Sequence, residues 1–230
     1  MNRLTFDNSA AMFNGPNFLR FCGKFTVYTE LTPRRHFTTT TSEAVVSGLW
    51  SGGRDVWRVS LRTDVTSSTS IKPGSTYEIC GEVEGANAYF MPILIWRAGD
   101  ERLTRLGRRL SERAAMRFSG LGTIVSWERF VVNAFEKEDL IQVVVFHKNE
   151  AVLNGGTVVR LLLGWDYCHV DSNASGFVGS RIGYVGSFQG SDSNDGSPIV
   201  QVHKAVINFT VDALNRDGLE CDVELSDDFN

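Results

Sequence analysis

Positive charges and aromatic rings alternate with apolar side chains along two stretches of this sequence. In residues 20–30, Phe21, Phe25 and Val27 share one face of an extended chain with Gly23. Arg20, Lys24 and Tyr28 take the other face. In residues 55–62 the same alternation puts Trp57, Val59 and Leu61 inward and Arg58 and Arg62 outward. Cations beside flat rings can follow a phosphate chain while bases stack on the rings. Trp50, at the end of its strand, and Trp165, close to Tyr167, are further rings of this kind. Trp57 reads as core. Glu78, Glu82 and Glu84 share the polar face of a later strand and would repel phosphate, so a polyanion path must avoid them.

Other chemistry finds no support in the spacing. His36, His147, His169 and His203 are scattered, with no H-x-x-x-H, so no metal site is expected. Cys22, Cys80, Cys168 and Cys221 form no C-x-x-C and read as reduced, mostly buried thiols. There is no G-x-S-x-G and no phosphate loop. Cys168 and His169 are adjacent, and adjacent strand residues point to opposite faces. These features describe a non-enzymatic protein without a cofactor. The N-terminus, MNRLTFDNSAAMFNG, lacks the apolar run of a secretory leader, and no stretch is long and apolar enough for a membrane helix. An intracellular protein (cytoplasmic, nuclear or virus-encoded) is expected, and the two glycosylation sequons, at Asn173 and Asn208, read as chance.

The elements that must position these residues are strands. Runs at 18–30, 43–50, 55–63, 76–84 and 88–97 are rich in β-branched and aromatic residues, with Gly, Ser, Pro and Asn between them. A second set covers 117–129, 131–147, 157–167, 180–189 and 198–211. The two sets echo one another. Arg20-Phe21-Cys22-Gly23 returns as Arg117-Phe118-Ser119-Gly120, and Gly81-Glu82-Val83-Glu84-Gly85 as Gly186-Ser187-Phe188-Gln189-Gly190. The spacing is 58 positions in one half and 66 in the other, a loop's difference. Five strands per half, with glycines to allow bulges and strong coiling, predict an all-β chain of two tandem small barrels. Between the halves, Leu103, Leu106 and Leu110 recur at helical spacing, with Arg102, Arg105, Arg109 and Arg113 beside them. This predicts a basic amphipathic linker helix, with the boundary near residue 115.

The strand that opens around Phe21-Cys22-Gly23-Lys24-Phe25, with the later Tyr77-Glu78-Ile79-Cys80-Gly81-Glu82-Val83, resembles OB-fold single-stranded nucleic-acid-binding proteins. The small subunit of replication protein A is similar in this respect. The resemblance implies an OB-like barrel and linker over 1–115, a second barrel over 116–216 and a tail over 217–230. It implies low-specificity binding of single-stranded DNA or RNA by Arg20, Lys24, Tyr28, Trp50, Arg58, Arg62, Arg102, Arg105, Arg109 and Trp165.

The net charge of −4 does not argue against such a ligand, because six acids and no base lie from Asp217 onward and the preceding residues carry +2. The last residues, Asp227-Asp228-Phe229-Asn230, look like the acidic tips of bacterial and phage single-strand-binding proteins, except that Asn230 follows the Phe. That resemblance implies autoinhibition or docking of replication or repair proteins through Asp227, Asp228 and Phe229. A rival expectation uses the same strands for a jelly-roll-like sandwich: a capsid-like shell or an interaction scaffold, with the two-sided apolar run 157–163 as a homo-oligomer contact. A carbohydrate-binding sandwich would rest on Trp50 and Trp165 alone.

Overall fold

Backbone pairing that closes on itself sets the architecture of this chain. The computed structural model describes residues 17–34, 37–45, 56–64, 71–87, 89, 91–104, 115–133, 138–148, 155–164 and 178–208. Their regular structure is all strand: β1 (Phe18–Val27), β2 (Thr32–Pro33), β3 (Phe37–Val45), β4 (Val56–Asp64), β5 (Thr76–Ala86), β6 (Pro92–Ile95), β7 (Arg102–Leu103), β8 (Arg117–Asn133), β9 (Glu138–Lys148), β10 (Gly156–Gly164), β11 (Arg181–Ser191) and β12 (Pro198–Asn208). All belong to one mixed sheet. The jelly-roll alternative, with two facing sheets, does not describe it. No helix among the described residues is long and apolar enough to cross a membrane.

Three expectations are corrected. The second strand begins at Phe37 rather than at residue 43, because the run of β-branched threonines (Thr38 to Thr41) is strand. It turns Thr40, Ser42 and Ala44 inward, all buried. The run 131–147 is split, residues 131–133 ending β8 and residues 138–147 belonging to β9. Arg102 and Leu103 form a strand against β5, not the first turn of a helix. Thr104 supplies the reason: its N–H and its Oγ1 both donate to the Thr76 carbonyl, at 2.9 and 2.8 Å, so the chain is held to the sheet there. The rest of that expected helix lies outside the described residues.

In the first half the pairing runs β1–β3–β4–β6–β5 and returns to β1. In the second it runs β8–β9–β10–β12–β11 and returns to β8. Each circuit has a single parallel contact, β4 with β6 and β10 with β12. The registers correspond. Phe21 faces Gly81 as Phe118 faces Gly186. Arg62 faces Ile95 as Leu162 faces Gln201. A bulge falls between Val83 and Gly85 and again between Phe188 and Gly190. Both bulge glycines have positive φ, 140° and 142°, a region L side chains rarely adopt.

The repeated glycines have a steric cause. A Cβ on Gly81 would collide with the Ile95 carbonyl oxygen, and one on Gly186 with the Gln201 carbonyl oxygen. Both strands must pass their circuit's last strand this closely.

The circuits join where β1 pairs antiparallel with β8, from Phe18 opposite Leu121 to Cys22 opposite Arg117. Phe21 lies opposite Phe118 within it. Reciprocal contacts flank this seam. The Thr157 hydroxyl donates to the Glu84 carbonyl at 3.0 Å, and Trp57 packs against Gly190 and edge-on to Phe188 at 6.3 Å. Phe118 stacks on Phe188 at 5.3 Å, so one apolar core runs through both halves. Trp57 is thus a packing residue, as its alternation predicts.

The expectation of four reduced thiols fails at Cys22 and Cys80, which lie directly opposite each other on β1 and β5 and are bonded. Cys168 and Cys221 lie outside the described residues. At a sequence separation of 58, such a link lowers the entropy of the unfolded chain by about 4 kcal/mol in loop-closure terms. It also ties the pair of strands that closes the first circuit.

Gly81→Ala and Gly186→Ala should each destabilise the protein by about 2 kcal/mol or more, since carbonyl backbone cannot yield as a side chain can. Urea unfolding followed by tryptophan fluorescence measures this. Unchanged midpoints would show that the last strand does not need its close approach.

Candidate nucleic-acid interface

The outward residues of β3 and β4 make the most chemically varied surface of the first half. Register sets Thr39 opposite Arg62, Thr41 opposite Ser60 and Glu43 opposite Arg58. Their inward neighbours Val59 and Leu61 are fully buried, so the backbone beneath is anchored in the core. Tyr28 joins this face because its N–H donates to the Thr41 carbonyl at 2.9 Å. Its ring is 61% exposed, enough to leave a π-face for a base. The Arg58 guanidinium stands 5.5 Å from the Tyr28 ring centroid, and that of Arg62 stands 4.5 Å from the Phe37 centroid. Each arginine is thereby held beside a ring by cation–π attraction. Thr39 and Ser60 hydroxyls lie 3.1 Å apart between them. The face offers two oriented cations, two rings and a row of hydroxyls.

Of the residues expected at a binding site, Tyr28, Arg58 and Arg62 converge here. Arg20 and Lys24 do not. They are on the outer side of β1, where it pairs with β5, and register puts Arg20 opposite Glu82 and Lys24 opposite Glu78. Arg102 faces the same Glu78 from β7. Opposite charges directly across a sheet attract one another, so these three cations share a strip with carboxylates. They lie beside the β5 glutamates that a polyanion path is expected to avoid, apart from the β3–β4 face. Trp50, Arg105, Arg109, Trp165, Asp227, Asp228 and Phe229 lie outside the described residues.

Two residues of this face escaped sequence reasoning. Phe37 lay outside every expected strand. Glu84 was assigned to a repelling edge, yet its carboxylate holds Arg62 at 2.7 Å. The bulge in β5 was the available signal, since a bulge re-aims side chains.

The corresponding face of the second half is different. Gln142 lies opposite Leu162, Val144 opposite Arg160 and Phe146 opposite Val158. Lys148 and Arg160 are on it by alternation, and Arg160 is held from several sides. Its Nε donates to Ser197 Oγ at 2.8 Å and lies 3.3 Å from Asp192, and its terminal nitrogen meets Asp195 at 2.8 Å. Burial opposes ionisation of Asp195, but Ser197 and Arg160 hold its carboxyl below the ordinary value.

The described residues contain no cluster of three metal-ligating side chains, and His36 and His169 lie outside them. His147 is buried beside the seam. Its Nδ1 lies 3.2 Å from the Leu121 carbonyl and its Nε2 3.0 Å from the Tyr184 hydroxyl. Gly120 and Gly122 leave room for this pair, since a Cβ on either would strike the imidazole. Burial lowers the His147 pKa to about 4, against the partly offsetting carbonyls of Leu121 and Phe18, and burial raises that of Tyr184. His203 Nε2 lies 2.6 Å from Ser187 Oγ, a contact sequence reasoning missed. A serine beside a histidine is part of a nucleophile unit. Here burial and the Arg117 charge both lower the His203 pKa, which disfavours the imidazolium that a general base must form.

No protein-family model and no curated protein sequence matches the chain. Its fold is similar to that of a single-stranded DNA binding protein in two solved structures. The wild-type single-stranded DNA binding protein from Thermus aquaticus aligns with a TM-score of 0.52 at 10% identity, covering 84% of this chain and 92% of that one. A deletion mutant of the same protein aligns with a TM-score of 0.51 at 11% identity, covering 85% and 94%. The likeness is one of fold.

His147 is neutral in the fold and titrates near 6.5 when exposed. A lowered pKa contributes stability that is complete above the unfolded value and lost as pH falls toward the folded one. The loss between pH 6.5 and 4 should approach ~3 kcal/mol, at 1.36 kcal/mol per unit. Unfolding free energies across that range should fall in the wild type and fall less in His147→Gln. Equal slopes would remove the burial account.

Proposed function

We propose that this chain is a non-enzymatic binder of single-stranded nucleic acid. In this reading each pairing circuit is a small OB-like barrel, the first within residues 1–115 and the second within 116–216. The residues from 217 onward form an acidic tail for autoinhibition or for docking replication or repair proteins. The observation that carries the reading is the outer face of β3 and β4, where Tyr28, Phe37, Arg58 and Arg62 are assembled. These are the second and third long strands of their circuit, the face by which OB barrels hold oligonucleotides. Guanidinium groups meet phosphates while the rings stack on bases, and neither contact selects a sequence. The fold likeness to a single-stranded DNA binding protein supports the same reading.

A second reading, an interaction scaffold, draws on the apolar face of the second half, with Val144, Phe146 and Val158 half-buried. Light scattering on the purified chain separates the two. A large closed assembly that ignores oligonucleotides favours the scaffold.

Fluorescence anisotropy with labelled single-stranded DNA, single-stranded RNA and duplex, at several salt concentrations, tests the first reading. Arg58→Glu with Arg62→Glu should weaken single-strand binding at least tenfold. The salt slope should become shallower by about 1.4, at ~0.7 per phosphate on a single strand. Unchanged affinity in this variant would overturn the assignment of the face.

A further inference from the structure

Arg62 is the best-held cation of the β3–β4 face and also the one already occupied. Its guanidinium lies over Phe37, and its terminal nitrogen donates to the Glu84 carboxylate at 2.7 Å. Glu84 satisfies only part of it. Arg62 Nε is buried and has no hydrogen-bond partner in the structure. A buried donor without an acceptor is costly, and a second acceptor oxygen arriving beside it would relieve that cost.

The carboxylate is exchangeable. Glu84 is 42% exposed and Arg62 24%, so the pair stands at the water boundary, where an ion pair is weak. The bulge does not need the charge. The corresponding bulge of the second half carries Gln189, between Phe188 and Gly190, with the same positive φ at its glycine. The seam does not need it either, since Thr157 bonds the backbone carbonyl of Glu84 and not its side chain. Arg160 shows what a fixed arginine looks like here, with two aspartates and a serine around it.

We infer that Glu84 is a stand-in for a phosphodiester, occupying Arg62 until an oxygen of a nucleic-acid backbone displaces it. Glu84 thereby sets the affinity and salt dependence of the face. This rests on the proposed function and deepens it. Binding breaks one ion pair and forms another, and the released carboxylate gathers a cation from solution. That uptake offsets part of the counterion release that normally drives association.

The test uses the full chain with a labelled single-stranded oligonucleotide of mixed sequence, titrated at several salt concentrations. Glu84→Gln should bind about threefold more tightly at low salt, the scale of an exposed ion pair. Its log–log salt slope should steepen by up to ~0.7. In an Arg62→Gln background the same substitution should change nothing, because the competitor acts through Arg62 alone. Weaker binding by Glu84→Gln or an equal gain in both backgrounds would overturn the inference. A wild-type chain that binds no oligonucleotide overturns the proposed function and this inference with it. Binding with an unaltered Glu84→Gln affinity overturns the inference alone.

Discussion

The antiparallel seam between β1 and β8 is the constraint on which the rest of the structure depends. It places Phe21 opposite Phe118 and fuses two closed pairing circuits into one sheet. Each circuit satisfies its own backbone groups by returning to its first strand. The seam uses what those first strands have left, the stretch of β1 before β3 joins it and of β8 before β9 joins it. Neither half then presents a long open edge there. The seam also brings Phe188 onto Phe118 and Trp57 onto Phe188. Apolar burial and backbone pairing thus act at the same place.

Close approach is the recurring cost of this arrangement. Wherever two strands must pass, a glycine stands: Gly81 and Gly186 beneath the last strands, Gly120 and Gly122 around His147. The second half uses its room for a buried polar pair, His147 with Tyr184. The positions of the first half that correspond to this pair, Ala44 on β3 and Ile79 on β5, are apolar and buried. Chemistry at the core of the second half is therefore structural: burial keeps the histidine neutral, and its two ring nitrogens are both engaged.

Charge is what distinguishes the outer surfaces. On the strip shared by β1, β5 and β7, cations and carboxylates face each other in register and their fields largely cancel beyond a Debye length. On β3 and β4 the arginines are set against rings as well as carboxylates: Arg58 beside Tyr28 and opposite Glu43, Arg62 over Phe37 and paired with Glu84. On the corresponding face of the second half, Arg160 is held by Asp192 and Asp195. One fold thus carries two surfaces of different character, and the difference lies in a few outward side chains on a common scaffold.

Much of this was legible in the linear chain. Alternation sorted Phe21, Phe25, Val59 and Leu61 inward and Arg58, Arg62 and Tyr28 outward, because a strand's side chains have a period of two wherever it lies. The repeated Gly-x-x-x-Gly motif marked corresponding positions in the two circuits, because the same close approach and the same bulge demand glycine each time. What the chain alone did not carry was who stands beside whom. The bond between Cys22 and Cys80, the opposition of Arg20 to Glu82, the ring of Phe37 under Arg62 and the grip of Glu84 on the same arginine all join residues distant in sequence. Those neighbours are decided by register, and register is set by how each circuit closes and where its bulge falls. A shift of one residue would have exchanged every partner while leaving the alternation of the sequence intact.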